Sequence, residues 1–446
     1  MIAADTSLAK GDIAHVLLAL AALLLAAHAI GSLFARFRQP RAIGEVVGGL
    51  LLGPTLLGAL APKAQAWLFP TSGVTATVLL MVAQLGLMLL MFMTGTEIRR
   101  VFHRREQKTI GLVFITGMLI PFLAGIAILQ VIDGTSMWGP EGSRASFLLV
   151  FAIAMAVTSI PVISRIMHDI GILDTAFARV VLGVAVLEDI VLYVVLAIAV
   201  GIAGGKAGTV FGLPVALGIK GGSGADMAYH SVATLGFMGL CLLGGPSLYR
   251  WLGSRKSNLI QRATPIAYQF IFLMLITIVG LFLGVEAFFG AFVAGLVVGR
   301  AEPDSEATDA IKSFSLAFFI PLYFAMIGLV LDLVHGFSPV FFVGFLLAAC
   351  LIKAVSVYVG ARAAGETNAS SWNLAVAMNA RGGPGIVVAS TAFAAGIIDQ
   401  PFYATLVLLA IVTSMLAGAW LERVPREKLL VREDESTEKE PQAAGA

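Results

Sequence analysis

RVVLGVAVLEDIVLYVVLAIAVG, residues 179–201, is apolar for long enough to cross a bilayer and carries Glu188 and Asp189 side by side near its middle. In the wider apolar reach 178–204, Arg179 is the only other charged residue, and Lys206 stands just beyond it. A carboxylate at bilayer depth costs about 2.5–3.5 kcal/mol on insertion scales. Two adjacent ones call for water, a counter-ion or a transported cation beside them. The stretch therefore places the chain in a membrane and its chemistry at this pair.

The surrounding sequence agrees. Of 446 residues, 59% are hydrophobic and 13% charged, where soluble domains average about 25% charged. The net charge of +2 gives no argument for a nucleic-acid partner, and no basic run is interleaved with aromatics. Cys241 and Cys350 both lie in apolar segments, which supports neither a disulfide framework nor a zinc site. No cofactor is called for. Lys10 alone precedes the first apolar run, so that run is read as a span and not as a cleaved signal.

Apolar segments of about 20 residues, the length a spanning helix needs, recur at 12–35, 41–60, 74–98, 110–132, 146–168, 178–204, 229–250, 264–283, 285–300, 313–334, 339–361, 372–396 and 402–422. The expected architecture is an all-α polytopic membrane protein of about thirteen transmembrane helices. Basic residues crowd alternate loops: Arg36, Arg38 and Arg41; Arg99, Arg100, Arg104, Arg105 and Lys108; Arg250, Arg255, Lys256 and Arg262. By the positive-inside rule these loops are cytoplasmic, with the N-terminus outside and the C-terminus inside the cell membrane. That arrangement needs an odd number of spans. The tail after Arg426 mixes both signs and reads as disordered cytoplasmic chain.

Two spans carry helix-breaking chemistry at their centres. FAIAMAVTSIPVISRIM, 151–167, has Pro161, which lacks an amide donor, preceded by the hydroxyls of Thr158 and Ser159. NLAVAMNARGGPGIVVASTAF, 373–393, has Gly382, Gly383, Pro384 and Gly385 beside an intramembrane Arg381. The breaks lie seven spans apart, so they run in opposite directions, as inverted repeats with paired broken helices at the midplane require. Lys353, deep in FFVGFLLAACLIKAVSVYVGAR at 341–362, completes a buried set of four charges that sums to zero. Glu188 and Asp189 diverge by about 100° around their helix. One should face an ion while the other pairs sideways.

These residues resemble the monovalent cation:proton antiporter superfamily, in the branch of bacterial sodium/proton antiporters, glutathione-gated potassium efflux transporters and plant cation/proton exchangers. The stretches that carry the resemblance, in order, are QPRAIGEVVGGLLLGPTLLG at 39–58, GLMLLMFMTGTEI at 86–98, FFIPLYFAMIGLVLDL at 318–333 and MNARGGPGIVVAS at 378–390. The resemblance implies the sodium/proton antiporter fold, with inverted repeats and two broken crossing helices. It implies a homodimer with scaffold helices at 1–109 and 251–334, and core helices at 110–204 and 335–424. An outer loop and linker helix fill 205–250, and 425–446 is a short tail. Asp189 takes the place of the family's ion-binding aspartate and Glu188 that of the variable residue before it. Thr158 and Ser159 match the polar pair at the first unwound helix, and Lys353 the basic residue that some members pair with the aspartate. Familiar members place Asp, Asn or Gln where this chain has Glu188. Only about 20 residues follow the last span, so no nucleotide-binding domain is expected in this chain.

The expected function is secondary antiport. Asp189 would hold either a proton or a monovalent cation (sodium or potassium, with lithium a further candidate), and Thr158, Ser159 and unwound backbone would complete the cation's shell. Lys353 and Arg381 would compensate charge. The other partners expected are membrane lipids and a second copy of the chain. A sodium-coupled organic-solute symporter could share this architecture. An intramembrane aspartyl protease would need a second deep aspartate on another helix, the metal-binding sequence HExxH is absent, and no repeated filter segment suggests a channel.

Overall fold

The computed structural model describes residues 9–424, apart from 38, 98–105, 160–162, 164–166, 168–171, 173–174, 208–211, 219–223, 255–257, 302–304 and 335–336. Pro161 and the tail from 425 onward lie outside the described residues. The principal helices are α1 (Lys10–Arg36), α2 (Arg41–Leu52), α3 (Val74–Glu97), α4 (Gln107–Phe114), α5 (Ile120–Val131), α6 (Arg144–Ala156), α7 (Ala176–Ala207) and α8 (Gly224–Ser254). They continue with α9 (Pro265–Phe282), α10 (Ala287–Ala301), α11 (Ser305–Phe314), α12 (Ile320–Val330), α13 (Pro339–Ala364), α14 (Asn368–Ala377), α15 (Gly382–Ala394) and α16 (Gln400–Leu421).

Among the described residues, nine helical stretches are long and apolar enough to cross a membrane, fewer than the thirteen spans expected. The other expected spans are shorter helices or pairs of pieces. α2 stops at Gly53–Pro54 and continues as a π-helical turn, α6 stops at Ala156, α10 has 15 residues, and α14 and α15 are separate halves. In each interrupted case a glycine, a proline or a hydroxyl pair competes with the regular helical ladder.

Two further π-helical turns, Ile115–Leu119 and Ser315–Phe319, join α4 to α5 and α11 to α12, and each is followed by Ile-Pro. Pro121 and Pro321 have no amide to give the carbonyl four residues back, Gly117 in one case and Ala317 in the other. Both carbonyls find a side-chain partner instead. Lys353 Nζ donates to Gly117 at 2.9 Å, and His28 Nε2 lies 2.9 Å from the Ala317 carbonyl.

The helices pack as two groups. α1, α2, α3, α10 and α12 pack on one another, while α4 to α7 and α13 to α16 form the second set. α8 touches both, lying on α7 and α10. Small residues set the closest approaches, as they do between membrane helices generally. A Cβ at Gly49 would overlap the Ala325 carbonyl oxygen, and one at Gly328 would overlap that of Val46, so α2 and α12 meet backbone to backbone. Gly328→Val is therefore expected to force these helices apart, and the monodisperse peak in fluorescence-detected size exclusion should be lost. A near-native peak would contradict this packing. In the second group, Phe147 and Phe151 of α6, Phe345 of α13 and Phe402 of α16 form an aromatic cluster with neighbouring ring centroids at 5.3–6.0 Å. α13 ends at Gly365, whose φ of 103° only glycine adopts readily.

Candidate functional site

The two breaks are tied to each other. α6 begins at a capping box of Ser143 and Ser146 and ends at Ala156, after which Val157 is extended. α14 ends at Ala377, with Met378 as its C-cap, and α15 begins only at Gly382. The Ser159 amide donates to the Ala380 carbonyl at 2.6 Å, and the Thr158 hydroxyl donates to that of Met378 at 2.6 Å. In return the Gly383 amide donates to the Ser159 hydroxyl at 3.2 Å. Thr158 and Ser159 are both fully buried, so these bonds form away from water, where they are strong.

The glycine–proline run lies one step beyond the break. Gly382 to Gly385 form the first turn of α15, and the unwound residues are Asn379 to Arg381. A helix start leaves its first amides without partners. Here Thr413 Oγ1 accepts from Arg381 N at 3.3 Å, Ser414 Oγ from Gly382 N at 2.9 Å, and Ser159 from Gly383. Pro384 has no amide to satisfy, which is why proline suits a first turn. Gly383 is buried, yet no heavy atom outside its local helix lies within 4 Å of where its Cβ would stand, which leaves space beside the breaks.

The last carbonyls of α6 face two cations. Arg381 Nε donates to Ala154 at 3.4 Å and Nη2 to Met155 at 3.2 Å, while Lys353 Nζ donates to Ala156. A helix C-terminus carries partial negative charge, so it is a suitable seat for them. Arg381 also donates to the Ala349 carbonyl at 2.9 Å and to the carbonyl and side-chain oxygens of Asn379 at 3.2 and 3.1 Å. Of the two basic residues expected to compensate carboxylates, Lys353 hydrogen-bonds one, while Arg381, within electrostatic reach of Glu188, gives its donors to carbonyls, whose fan the planar guanidinium matches better than a point charge does.

Lys353 Nζ donates to Glu188 Oε1 at 2.7 Å, with both side chains fully buried. With Gly117 and Ala156, its three donors are used. Asp189, also fully buried, is different: among the described residues neither Oδ1 nor Oδ2 has a hydrogen-bond partner. Glu188 Oε2 is likewise unpartnered among them. The two neighbours on α7 therefore diverge as a helix requires, one fixed to a lysine and one left open. Glu45 of α2 is 8% exposed and packs against Gly31 of α1.

The structure brings Thr158, Ser159, Glu188, Asp189, Lys353, Arg381 and Gly382–Gly385 into one locality. It adds Gly117, Thr413 and Ser414, which lie in no quoted stretch, and Asn379 from the stretch at 378–390. Pro121 was the available signal for Gly117.

A helical membrane protein whose two helix breaks are tied together beside a buried, half-compensated carboxylate pair is a transporter and not an enzyme. The chain belongs to the sodium/hydrogen exchanger transmembrane family, whose model matches residues 19–426. It is similar to the Na(+)/H(+) antiporter NhaS4 of Synechocystis, at 27% identity over 89% of this chain and 94% of that one. It is also similar to the Na(+)/H(+)-K(+) antiporter GerN of Bacillus cereus, at 25% identity over 90% and 94%. The K(+)/H(+) antiporter 1 of Saccharomyces cerevisiae is 28% identical over 88% of this chain, which spans 44% of that longer protein. The structure of the sodium proton antiporter MjNhaP1 from Methanocaldococcus jannaschii has the same fold, with a TM-score of 0.61 at 14% identity over 92% of this chain and 98% of that one.

Proposed function

We propose that the chain is a secondary antiporter that exchanges protons for a monovalent cation, sodium or potassium, at Asp189. The observation that carries this reading is the pair of buried carboxylate oxygens on Asp189 without a partner among the described residues, one residue from a carboxylate that already has its lysine. An unpartnered carboxylate at that depth is stable only with a proton or a cation on it. The two compete for the same oxygens, and this competition couples their movements. Thr158 retains hydroxyl lone pairs after donating to Met378, and these, with Ser159 and carbonyls of the breaks, are hard oxygen ligands of the kind alkali cations take. Glu188 is held by Lys353, and Arg381 secures the break.

In this reading the helices at 110–204 and 335–424 are a moving core, and those at 1–109 and 251–334 a scaffold that pairs in a homodimer. Residues 205–250 link the two, and access alternates as core moves against scaffold. The basic loops place the C-terminus in the cytoplasm and the N-terminus outside a cell membrane.

The test uses purified protein in liposomes with an imposed proton gradient and a pH-sensitive dye. Sodium, potassium and lithium are added in turn, with Asp189→Asn beside the wild type. Dye recovery with at least one cation is expected, falling to the protein-free background in the variant. Recovery that persists in Asp189→Asn would overturn the role of this carboxylate. Uptake of an organic solute with sodium and no proton counterflow would replace antiport by symport.

A further inference from the structure

Three positions at helical spacing on α12, Tyr323, Ile327 and Val330, each bond to the neighbouring helix group. The Tyr323 and Ser390 hydroxyls share a hydrogen bond of 2.8 Å, which reaches α15. The Tyr403 hydroxyl of α16 donates to the Ile327 carbonyl at 2.7 Å, and the Gln400 side-chain amide donates to the Val330 carbonyl at 2.7 Å. Spacings of four and three residues put all three positions on one face of α12. This ladder runs toward the C-terminal end of that helix.

A further bridge between the same two groups starts beside the site. Tyr193 lies one helical turn beyond Asp189 on α7 and meets Phe292 of α10 edge to face, with centroids 4.9 Å apart. Tyr193 is within electrostatic reach of both Asp189 and Tyr323, and Tyr323 is within reach of Tyr403. Tyr193, Tyr323 and Tyr403 are 1%, 5% and 1% exposed, and Asp189 is fully covered.

We propose that Tyr193, Tyr323 and Tyr403 form the closed gate between Asp189 and the membrane face to which the C-terminal end of α12 points, with Gln400 as its outermost rung. The proposal rests on the exchanger reading, since a gate has meaning only for a site reached from alternate sides. Its chemistry suits repeated opening. Ile327 and Val330 are among the last four residues of α12, whose carbonyls have no partner within the helix. When the groups separate, water entering the gap replaces the tyrosine and glutamine donors, so each bond is exchanged and not simply lost. A seal of hydroxyls on helix-end carbonyls is therefore easier to reopen than one of interlocked backbones such as Gly49 and Gly328. Loss of one such bond should shift the closed-to-open ratio by roughly 2- to 12-fold.

The test places a single cysteine by Val387→Cys, one turn from Ser390 toward the break, in a chain with Cys241→Ala and Cys350→Ala. Oriented vesicles receive a membrane-impermeant maleimide on one side or the other. Tyr323→Phe combined with Tyr403→Phe is expected to speed labelling from the α12 C-terminal side by on the order of 10-fold or more, with the rate from the opposite side unchanged. Gln400→Ala, at the rim and tolerant of folding defects, should show a smaller acceleration of the same one-sided kind. Unchanged labelling, or equal acceleration from both sides, would overturn the gate. The measurement is repeated with Asp189→Asn, in which exchange should be absent. One-sided acceleration there supports the gate independently of transport. Should wild-type liposomes show no cation-driven proton movement, the exchanger reading falls while the labelling result still stands by itself.

Discussion

Arg381→Lys is expected to be as damaging as Arg381→Met, with little protein surviving detergent extraction as a monodisperse species. The guanidinium reaches Ala154, Met155, Ala349 and Asn379 from one plane. An ammonium offers three donors from one point and cannot span that fan. Either substitution leaves at least two buried carbonyls without a donor, at about 1–3 kcal/mol each, against a total stability of about 5–15 kcal/mol. The lost carbonyls also belong to the end of α6, so the first break would lose its register with the second. Thermal midpoints from size exclusion after heating provide the measurement. An Arg381→Lys protein melting within a degree or two of wild type would show that charge, and not the planar fork, is what the site needs.

Lys353→Met should cost about 3–5 kcal/mol, the range for removing one partner of a buried ion pair. The reason is Glu188, which is fully buried and whose second oxygen, Oε2, has no hydrogen-bond partner among the described residues. Glu188→Gln in the same chain should restore much of the loss, because the stranded charge disappears with it. The recovery should be incomplete, since the Gly117 and Ala156 carbonyls still lack the Lys353 donors. A double-mutant cycle on the thermal midpoints of the four proteins measures the coupling. Additive effects would mean that Lys353 stabilises the fold through its carbonyl bonds alone.

Much of this arrangement was legible in the sequence, and the limits have physical causes. Long apolar runs announce α1, α7 and α13 because a bilayer demands them. Glu188, Asp189, Lys353 and Arg381 stand out because charge at depth is costly. The division of labour among them was not legible. Lys353 and Glu188 are 165 positions apart, and which carboxylate the lysine meets depends on the rotation of α7 against α13. That Arg381 also holds the carbonyls at the end of α6 was not legible, because a sequence shows charges and not backbone oxygens. Gly382–Gly385 marked the second break to within a turn, but glycine and proline favour a helix start as well as a stop. The tyrosine ladder left no sequence signal, since its partners are mostly backbone oxygens on another helix.

Pro121, after the π-helical turn at Ile115–Leu119, has a consequence for how the chain is made. Synthesis runs from the N-terminus, so Gly117, Ala156 and Glu188 have all left the ribosome before Lys353 is translated. A lysine at the centre of an inserting segment is opposed by about 2.5–3.5 kcal/mol on translocon scales. Here it arrives after each of its acceptors, and the carbonyl that Pro121 leaves open waits for it. Reversing that order, by permuting the chain so that α13 precedes α4, would send the ammonium into lipid with nothing to receive it. The order of the helices along the gene is in this sense part of the site.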